Sequence, residues 1–456
     1  MRHWPEPVRG ERPFSPGGMA RAGLCVGCGS CAERMSWDRD RFLKPERGTP
    51  VPQSFAQQCP FSPVAPNEDE LAADRFAEAP IRDARIGRFE AAYVGYVAEH
   101  RFRPNASSGG LTSWVAAELL RTGVVDGVAH VAPTDPATGR HFAYRISRSL
   151  DELNAGAKSR YYPVELSQVL AEIRQQPGRY AIVGIPCFIN AIHLLRRVDP
   201  LIRERVTHTL GLFCGHMKSA AMIESFAWQL GTELGRVQAI DYRIKDEARP
   251  ANWYRAHLDL AEGGTAEQDW WHLADGDWGA GFLQNPACDW CDDVVAETAD
   301  ISFGDAWVEP YSSDGRGTNV VVVRSKPLKD MIDRARDGGR LVLEPVDAEF
   351  VVRTQAAGLR HRRDGLAYRL TWRRGIVPRK RVQPSTELPL RRKLVYRLRY
   401  WIARMSHPVL RIARTIGMPS IYTTWARSTL RLYQSVTWSH GRLGRLFDSL
   451  LPRPEA

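Results

Sequence analysis

A mixed α/β fold is what this sequence predicts, and three observations predict it. Between Ala91 and Val346 short apolar runs of strand length alternate with stretches of helical period. Two of those runs end in a cysteine and turn at once into a helix, the punctuation of an open sheet flanked by helices. From Leu388 onward the pattern is purely helical and strongly basic. At 456 residues, 43% hydrophobic and 25% charged, the chain has room for two to three domains and a sizeable core. No run of eighteen apolar residues occurs, so no membrane-spanning helix is expected.

Taken in order, Met1 to Met19 is rich in proline, glycine and arginine and is expected to be an extended arm. Leu24 to Ala32 then carries Cys25, Cys28 and Cys31, each separated from the next by two residues, with Gly27 and Gly29 where a tight turn needs small residues. Bacterial-ferredoxin runs use this spacing to bring three thiolates to one iron–sulfur cubane, and a cysteine ahead of proline completes the set. Cys59, followed by Pro60, is the candidate fourth ligand. Twenty-seven residues separate it from Cys31, a separation that costs little closure entropy. The other four of the eight cysteines, Cys187, Cys214, Cys288 and Cys291, make a second possible four-thiolate set. Disulfides fit poorly: the chain is long, has no evident signal peptide and groups its cysteines at metal-ligand spacing. Structural zinc is the serious rival, above all for the Cys288–Cys291 pair, and a lone Cys187 or Cys214 is also compatible with an ordinary buried thiol.

Ala65 to Arg88 is charged and reads as a connector. Ala91 to Ala98 is a predicted strand, and Asn105-Ala106-Ser107-Ser108-Gly109-Gly110 precedes a predicted helix from Leu111 to Leu120. Small residues there would offer free N–H groups and hydroxyls to a phosphate or a flavin edge, although an N-cap and a turn would look the same. No G-x-G-x-x-G follows a strand, so a Rossmann site is not expected. Strands are predicted at Val124 to Val131 and His141 to Arg148. Lys158, Ser159 and Tyr161 then stand in a basic, aromatic loop before a helix from Val164 to Gln175, suited to a cofactor phosphate and ring or simply solvated. Tyr180 to Pro186 and Val206 to Phe213 are predicted buried strands, with Cys187 and Cys214 just past their ends and helices Phe188 to Arg197 and Ala220 to Leu230 behind them. His216 is read as a ligand, a proton donor or a hydrogen-bonded loop histidine. Val237 to Lys245, Tyr254 to Leu260 and Glu267 to Leu273 alternate as an antiparallel portion. Ala299 to Trp307, Val320 to Val323 and Leu341 to Val346 complete the strands, with a helix from Pro327 to Arg336.

In their order, the triple-cysteine module, Asn105 to Gly110, Lys158 to Pro163, Gly184-Ile185-Pro186-Cys187, Phe213-Cys214-Gly215-His216, Cys288 to Cys291 with Asp300 to Asp305, and Gly317-Thr318-Asn319 resemble the beta-subunit family of coenzyme F420 hydrogenases and dehydrogenases. Relatives of that family include the reductase of 7-hydroxymethyl chlorophyll and deazaflavin-oxidising modules of some sulfite reductases. The resemblance runs from about Cys25 to Ser325. It implies a non-Rossmann α/β scaffold holding FAD, with an N-terminal ferredoxin-like module at 1–64 and a catalytic domain at 65–352; the basic, mainly helical C-terminal extension at 353–456 lies outside the resemblance. It further implies two 4Fe-4S clusters, one on Cys25, Cys28, Cys31 and Cys59, the other on Cys187, Cys214, Cys288 and Cys291. The flavin would be approached by Asn105, Ser107, Ser108, Gly109 and Gly110 and, from the opposite loop, by Lys158, Ser159 and Tyr161. The implied activity is electron exchange between one-electron carriers, such as ferredoxin, and a hydride-type partner such as a deazaflavin coenzyme. No catalytic residue is assigned by it.

The net charge of +11 divides unevenly. From Arg353 onward 23 Lys and Arg face only Asp364, Glu387, Asp448 and Glu455, a charge of +19 that leaves −8 on the rest. Leu388 to Met405 and Ile421 to Leu432 read as amphipathic helices mixing arginine with leucine and tryptophan. That composition suits an anionic membrane surface or packing on the acidic body; no nucleic-acid module accompanies it. Clusters and free thiols suit the reducing cytoplasm, at the inner membrane face if the tail binds lipid. The competing class is a zinc-stabilised, non-redox scaffold or membrane-surface binding protein.

Overall fold

The structure, a computed structural model, describes residues 15–451. Its centre is an eight-stranded sheet in the order Leu341–Val346, Ala91–Val97, Asn319–Val323, Ile301–Asp305, Val206–Leu212, Tyr180–Gly184, Gly127–Pro133 and Phe142–Ser147. The four strands from Ile301–Asp305 to Gly127–Pro133 run parallel, and the remaining pairings are antiparallel. Strand alternation covers both faces. Val321 and Val323 pack with Leu111, Val115, Leu119, Leu328 and Ile332, on the side of helices Leu111–Arg121 and Lys326–Asp337. Val320 and Val322 pack with Ile86, Phe89 and Val351 instead. Similarly Ala181 joins the first group, whereas Ile182 packs with Phe188 and Ile192 of helix Pro186–Val198. A mixed α/β fold is therefore what the chain adopts.

Val237–Ile244, Arg255–Leu260 and Thr265–Asp269 form a separate antiparallel sheet, the last strand stopping where Trp270–His272 turns into 3-10 helix. The expected arm differs where it is described: Pro16–Arg21 is a short helix capped by Ser15 with proline at its first position, while residues 1–14 lie outside the described part. The expected connector also contains structure. Glu68–Arg75 is a helix closed by a reciprocal Asn67/Glu70 capping box, and Ile81–Asp83 pairs with Gly87–Phe89.

Beyond the sheet come the short helices Ala348–Thr354, Ala356–Arg362 and Asp364–Leu370, then Leu390–Ile416, Pro419–Trp438 and Gly441–Leu450. The first long helix continues past Pro408, where the sequence pattern ends at Met405. Burial of Ile402, Leu410 and Ala413 in the core overrides the missing proline donor. These tail helices share a core with the sheet, since Val395, Ile402 and Tyr422 pack with Phe142, Tyr242 and Trp270.

Candidate functional site

A cavity of about 750 Å³ opens at the carboxyl ends of the parallel strands, its wall including Val183, Gly184, Leu212, Phe303 and Asp305. Open α/β sheets place ligands there because strand ends and the following turns leave backbone groups and short loops unpaired by the ladder. Ser107, Ser108 and Gly110 line it from one side, Lys158, Ser159 and Tyr161 from another. The two loops meet directly, Ser159 N–H donating to Ser107 Oγ at 2.9 Å. Lys158 pairs with Asp241 at 3.1 Å. Gly110, the N-cap of Leu111–Arg121, has φ +90°, and a Cβ there would lie 2.8 Å from the Phe102 carbonyl, so only glycine fits. Thr112 and Ser113 of that helix's first turn also reach the cavity. Gly109 and Asn105 are not in its wall; Gly109 packs against Gly95 and Asn319, and Asn105 is the exposed last residue of a short helix.

The aromatic part of the wall is built from Tyr161, Trp270 and Trp278. Tyr161 meets Trp278 edge-on at 4.7 Å between centroids, and Trp270 stacks on Trp278 at 5.8 Å. These rings give a flat, water-poor surface of the kind that planar ligands occupy. Neither tryptophan was singled out from the sequence, because they lie more than 100 residues downstream of Tyr161 and no local pattern links them.

The first four cysteines line one small hollow with Met19, Val26, Phe55 and Phe61. Gly27, at φ +82°, allows the turn between Cys25 and Cys28, and a Cβ there would meet the Leu43 carbonyl oxygen. Cys59 arrives at the end of the one-turn helix Phe55–Gln58, so the long insertion still returns it to the other three. Cys28 is tied to the sheet domain through its carbonyl, which accepts from Leu166 N–H at 2.9 Å.

The second four also converge. Cys187 sits in the first turn of Pro186–Val198, Cys214 just past its strand, Cys288 in the turn Pro286–Trp290 and Cys291 directly after it. Burial pushes the Cys187 thiol up, and the neighbouring Cys291, Cys214, Cys288 and Cys28 sulfurs push it further. Cys288 Sγ accepts from Met217 N–H at 3.3 Å. Arg362, fully buried, donates to the carbonyls of Cys288, Cys291 and Gly215 and is the positive charge facing the set. Cys214 also lines the cavity, so this set borders the ligand space.

Among the described residues no three His, Cys, Asp or Glu side chains converge tightly enough to hold one metal ion. Each cysteine set is nevertheless a soft-donor quartet, one around an apolar hollow, the other beside a buried cation. Four crowded thiols in a dry setting resist ionisation unless positive charge sits among them. That donor chemistry fits an iron–sulfur cluster, a body larger than one ion. The cavity size, the serine and lysine loops and the aromatic wall fit a flavin.

Comparison with known proteins bears on the family of the chain. The model for the N-terminal part of the coenzyme F420 hydrogenase/dehydrogenase beta subunit matches residues 92–171, and that for its C terminus matches residues 178–349. An uncharacterized protein of Methanocaldococcus jannaschii is 26% identical over 255 residues, 54% of this chain; the match spans 64% of that protein's length, just under two thirds. A chain of the F420-reducing hydrogenase complex from Methanosarcina barkeri superposes with a TM-score of 0.49 at 18% identity, over 66% of this chain and 99% of that one. The two matched segments together cover more than half of the sequence in their proper order, and the chain belongs to the coenzyme F420 hydrogenase/dehydrogenase beta-subunit family.

Proposed function

We propose that this chain is an iron–sulfur flavoprotein oxidoreductase that passes electrons between one-electron carriers and a hydride-type donor or acceptor. The observation that carries the reading is the position of Cys214, which belongs to the inner cysteine set and to the cavity wall at once. When bound, a flavin exchanges two electrons as hydride and a cubane carries one at a time, so the pair interconverts the two kinds of carrier. The residues of this chain would do the rest. Cys187, Cys214, Cys288 and Cys291 would hold the inner cluster and Cys25, Cys28, Cys31 and Cys59 the outer one. Ser107, Ser108, Gly110, Lys158 and Ser159 would hold the flavin's polar parts, and Tyr161, Trp270 and Trp278 would exclude water from its ring. The two sets are near enough for the Cys28 sulfur to act on Cys187, giving a short path from the outer set to the cavity. A ferredoxin and a deazaflavin coenzyme are the partners this chemistry suits, and the thiols require a reducing compartment such as the cytoplasm. Electron paramagnetic resonance of the anaerobically reduced protein tests it. Two coupled cluster signals are expected in the native chain and one in Cys214→Ser; an identical spectrum in both would remove the inner set from the account.

The tail supports a reading of its own, docking on an anionic membrane surface. Its inward cations are neutralised within the molecule: Arg414 pairs with Glu224 and Arg411 with Asp40 of the body, and Arg391 with Asp448 of the tail's own last helix. Its outward face differs. Of the 18 exposed large hydrophobic side chains among the described residues, ten lie between Leu390 and Leu450. On the first long helix Leu390, Trp401, Ile412 and Ile416 recur at multiples of three to four residues and so share a solvent stripe. Arg427 and Arg431 of the next helix and Arg442 and Arg445 of the last are exposed, without an ion pair among the described residues. Apolar residues interleaved with unneutralised arginines fit the boundary of an anionic bilayer, while no helix of the described residues is long and apolar enough to cross one. Flotation with phosphatidylglycerol vesicles, but not phosphatidylcholine vesicles, is the expected result, with Ile412→Glu/Ile416→Glu lowering the floated fraction several-fold. Equal failure on both lipids would dismiss the idea.

A further inference from the structure

One corner of the cavity is built from polar side chains that the redox reading leaves unused. His216 is 5% exposed, lies 4.8 Å from Trp278 between ring centroids, and neither of its ring nitrogens has a hydrogen-bond partner. His361, 6% exposed, leaves Nε2 unpartnered. Lys218, 1% exposed, spends one of its three donors on the Phe282 carbonyl at 2.7 Å and lies 4.9 Å over the Trp278 ring. Arg399 reaches the same cavity from the long helix Leu390–Ile416, with its Nε unpartnered. Asp277 is the carboxylate in this part of the wall, and Asp275 behind it is engaged by Ser225, Gln229 and Tyr422. Cations and donors outnumber acceptors here, and burying unpaired donors is costly unless something accepts from them.

We infer that this corner is a subsite for an oxyanion, a phosphate or carboxylate group carried by the substrate, completed by Arg399 of the tail. Four observations point the same way: buried donors without acceptors, two cationic side chains, a ring floor at Trp278, and an opening into the space that Cys214 and Tyr161 share. Arg399 and His361 both lie beyond residue 349, outside the stretch matched by the family models. The subsite thus draws on the tail as well as on the stretch that the family models match. Only the assignment of the anion to a substrate rests on the redox reading.

The test uses the full-length, anaerobically purified protein titrated with inorganic phosphate and, separately, acetate. Thermal unfolding midpoint and the visible flavin spectrum are read in the native chain, Arg399→Met and His216→Leu. His216 makes no hydrogen bond among the described residues, so His216→Leu removes none of their bonds, and its unliganded midpoint should equal or exceed the native value. Saturable stabilisation by at least one of the two anions is expected, weakened about ten-fold or more in both variants, with FAD per chain unchanged. No saturable response to either anion, or variants that respond like the native chain, would overturn the subsite. Loss of FAD in both variants would also overturn it, because the cations would then be serving the flavin's own phosphates. A chain that carries no flavin yet shows variant-sensitive phosphate binding would refute the redox reading and leave the anion site standing.

Discussion

Arg362 is the residue on which the inner cysteine set leans most. Its guanidinium is fully buried, bonded to three carbonyls of the loops that carry Cys214, Cys288 and Cys291, and the sulfurs around it hold it firmly protonated. A fixed positive charge beside a redox centre favours the reduced, more negative state. Arg362→Met should therefore shift one cluster midpoint to more negative potential in a potentiometric titration, and Arg362→Lys should recover most of the shift; an unmoved midpoint in Arg362→Met would contradict this role. The cysteines themselves were legible because their spacing is local and the chemistry of C-x-x-C is specific. Ser107, Ser108, Lys158, Ser159 and Tyr161, singled out by the resemblance, stand together in the wall of one cavity. Arg362, His361 and Arg399 were not legible, since each reaches the site from a helix at least 70 residues beyond the loops it meets, and nothing in a run of tail arginines tells the buried ones from the solvated ones.

Among the elements, the helix Glu68–Arg75 shows how a charged stretch can be structural. Its composition is that of a connector, but Glu68 is buried and takes Lys380 Nζ at 2.9 Å, and Lys380 in turn meets Asp292, one residue after Cys291, at 3.2 Å. Arg381 pairs with Glu297 of the same loop at 2.5 Å. Connector, cysteine loop and tail are thus clamped by a dry ionic network that leaves no apolar pattern to read. Breaking such a network from one side strands the opposite charges. Lys380→Met is expected to cost about 3–5 kcal/mol in denaturant unfolding, with Lys380→Met/Asp292→Asn recovering part of it. A loss under about 1 kcal/mol would mean that water reaches the network. Most strands of the large sheet, by contrast, were readable near their bounds, because alternation and β-branched runs such as Val320 to Val323 report burial on two faces, whereas Glu267 to Leu273 ran on into the turn Trp270–His272.

Across the whole molecule the three stretches seen in the sequence share their cores. Met19, Leu24 and Phe55 pack with Ile182 and Phe188 of the sheet domain and with Leu366 and Leu370 beyond it. An N-terminal cysteine segment held this way cannot swing on a linker, which keeps the outer cysteine set, the inner set and the cavity in a fixed series. The asymmetry of charge is partly spent inside the molecule, where tail arginines neutralise acids of the body, and partly displayed outward with exposed leucine, isoleucine and tryptophan. The central claim is that this fixed series carries electrons. It is tested most directly by iron, acid-labile sulfide, zinc and extractable flavin per chain after strictly anaerobic purification. About eight irons with matching sulfide and one FAD are predicted. Zinc without flavin would contradict the claim and leave a metal-stabilised scaffold.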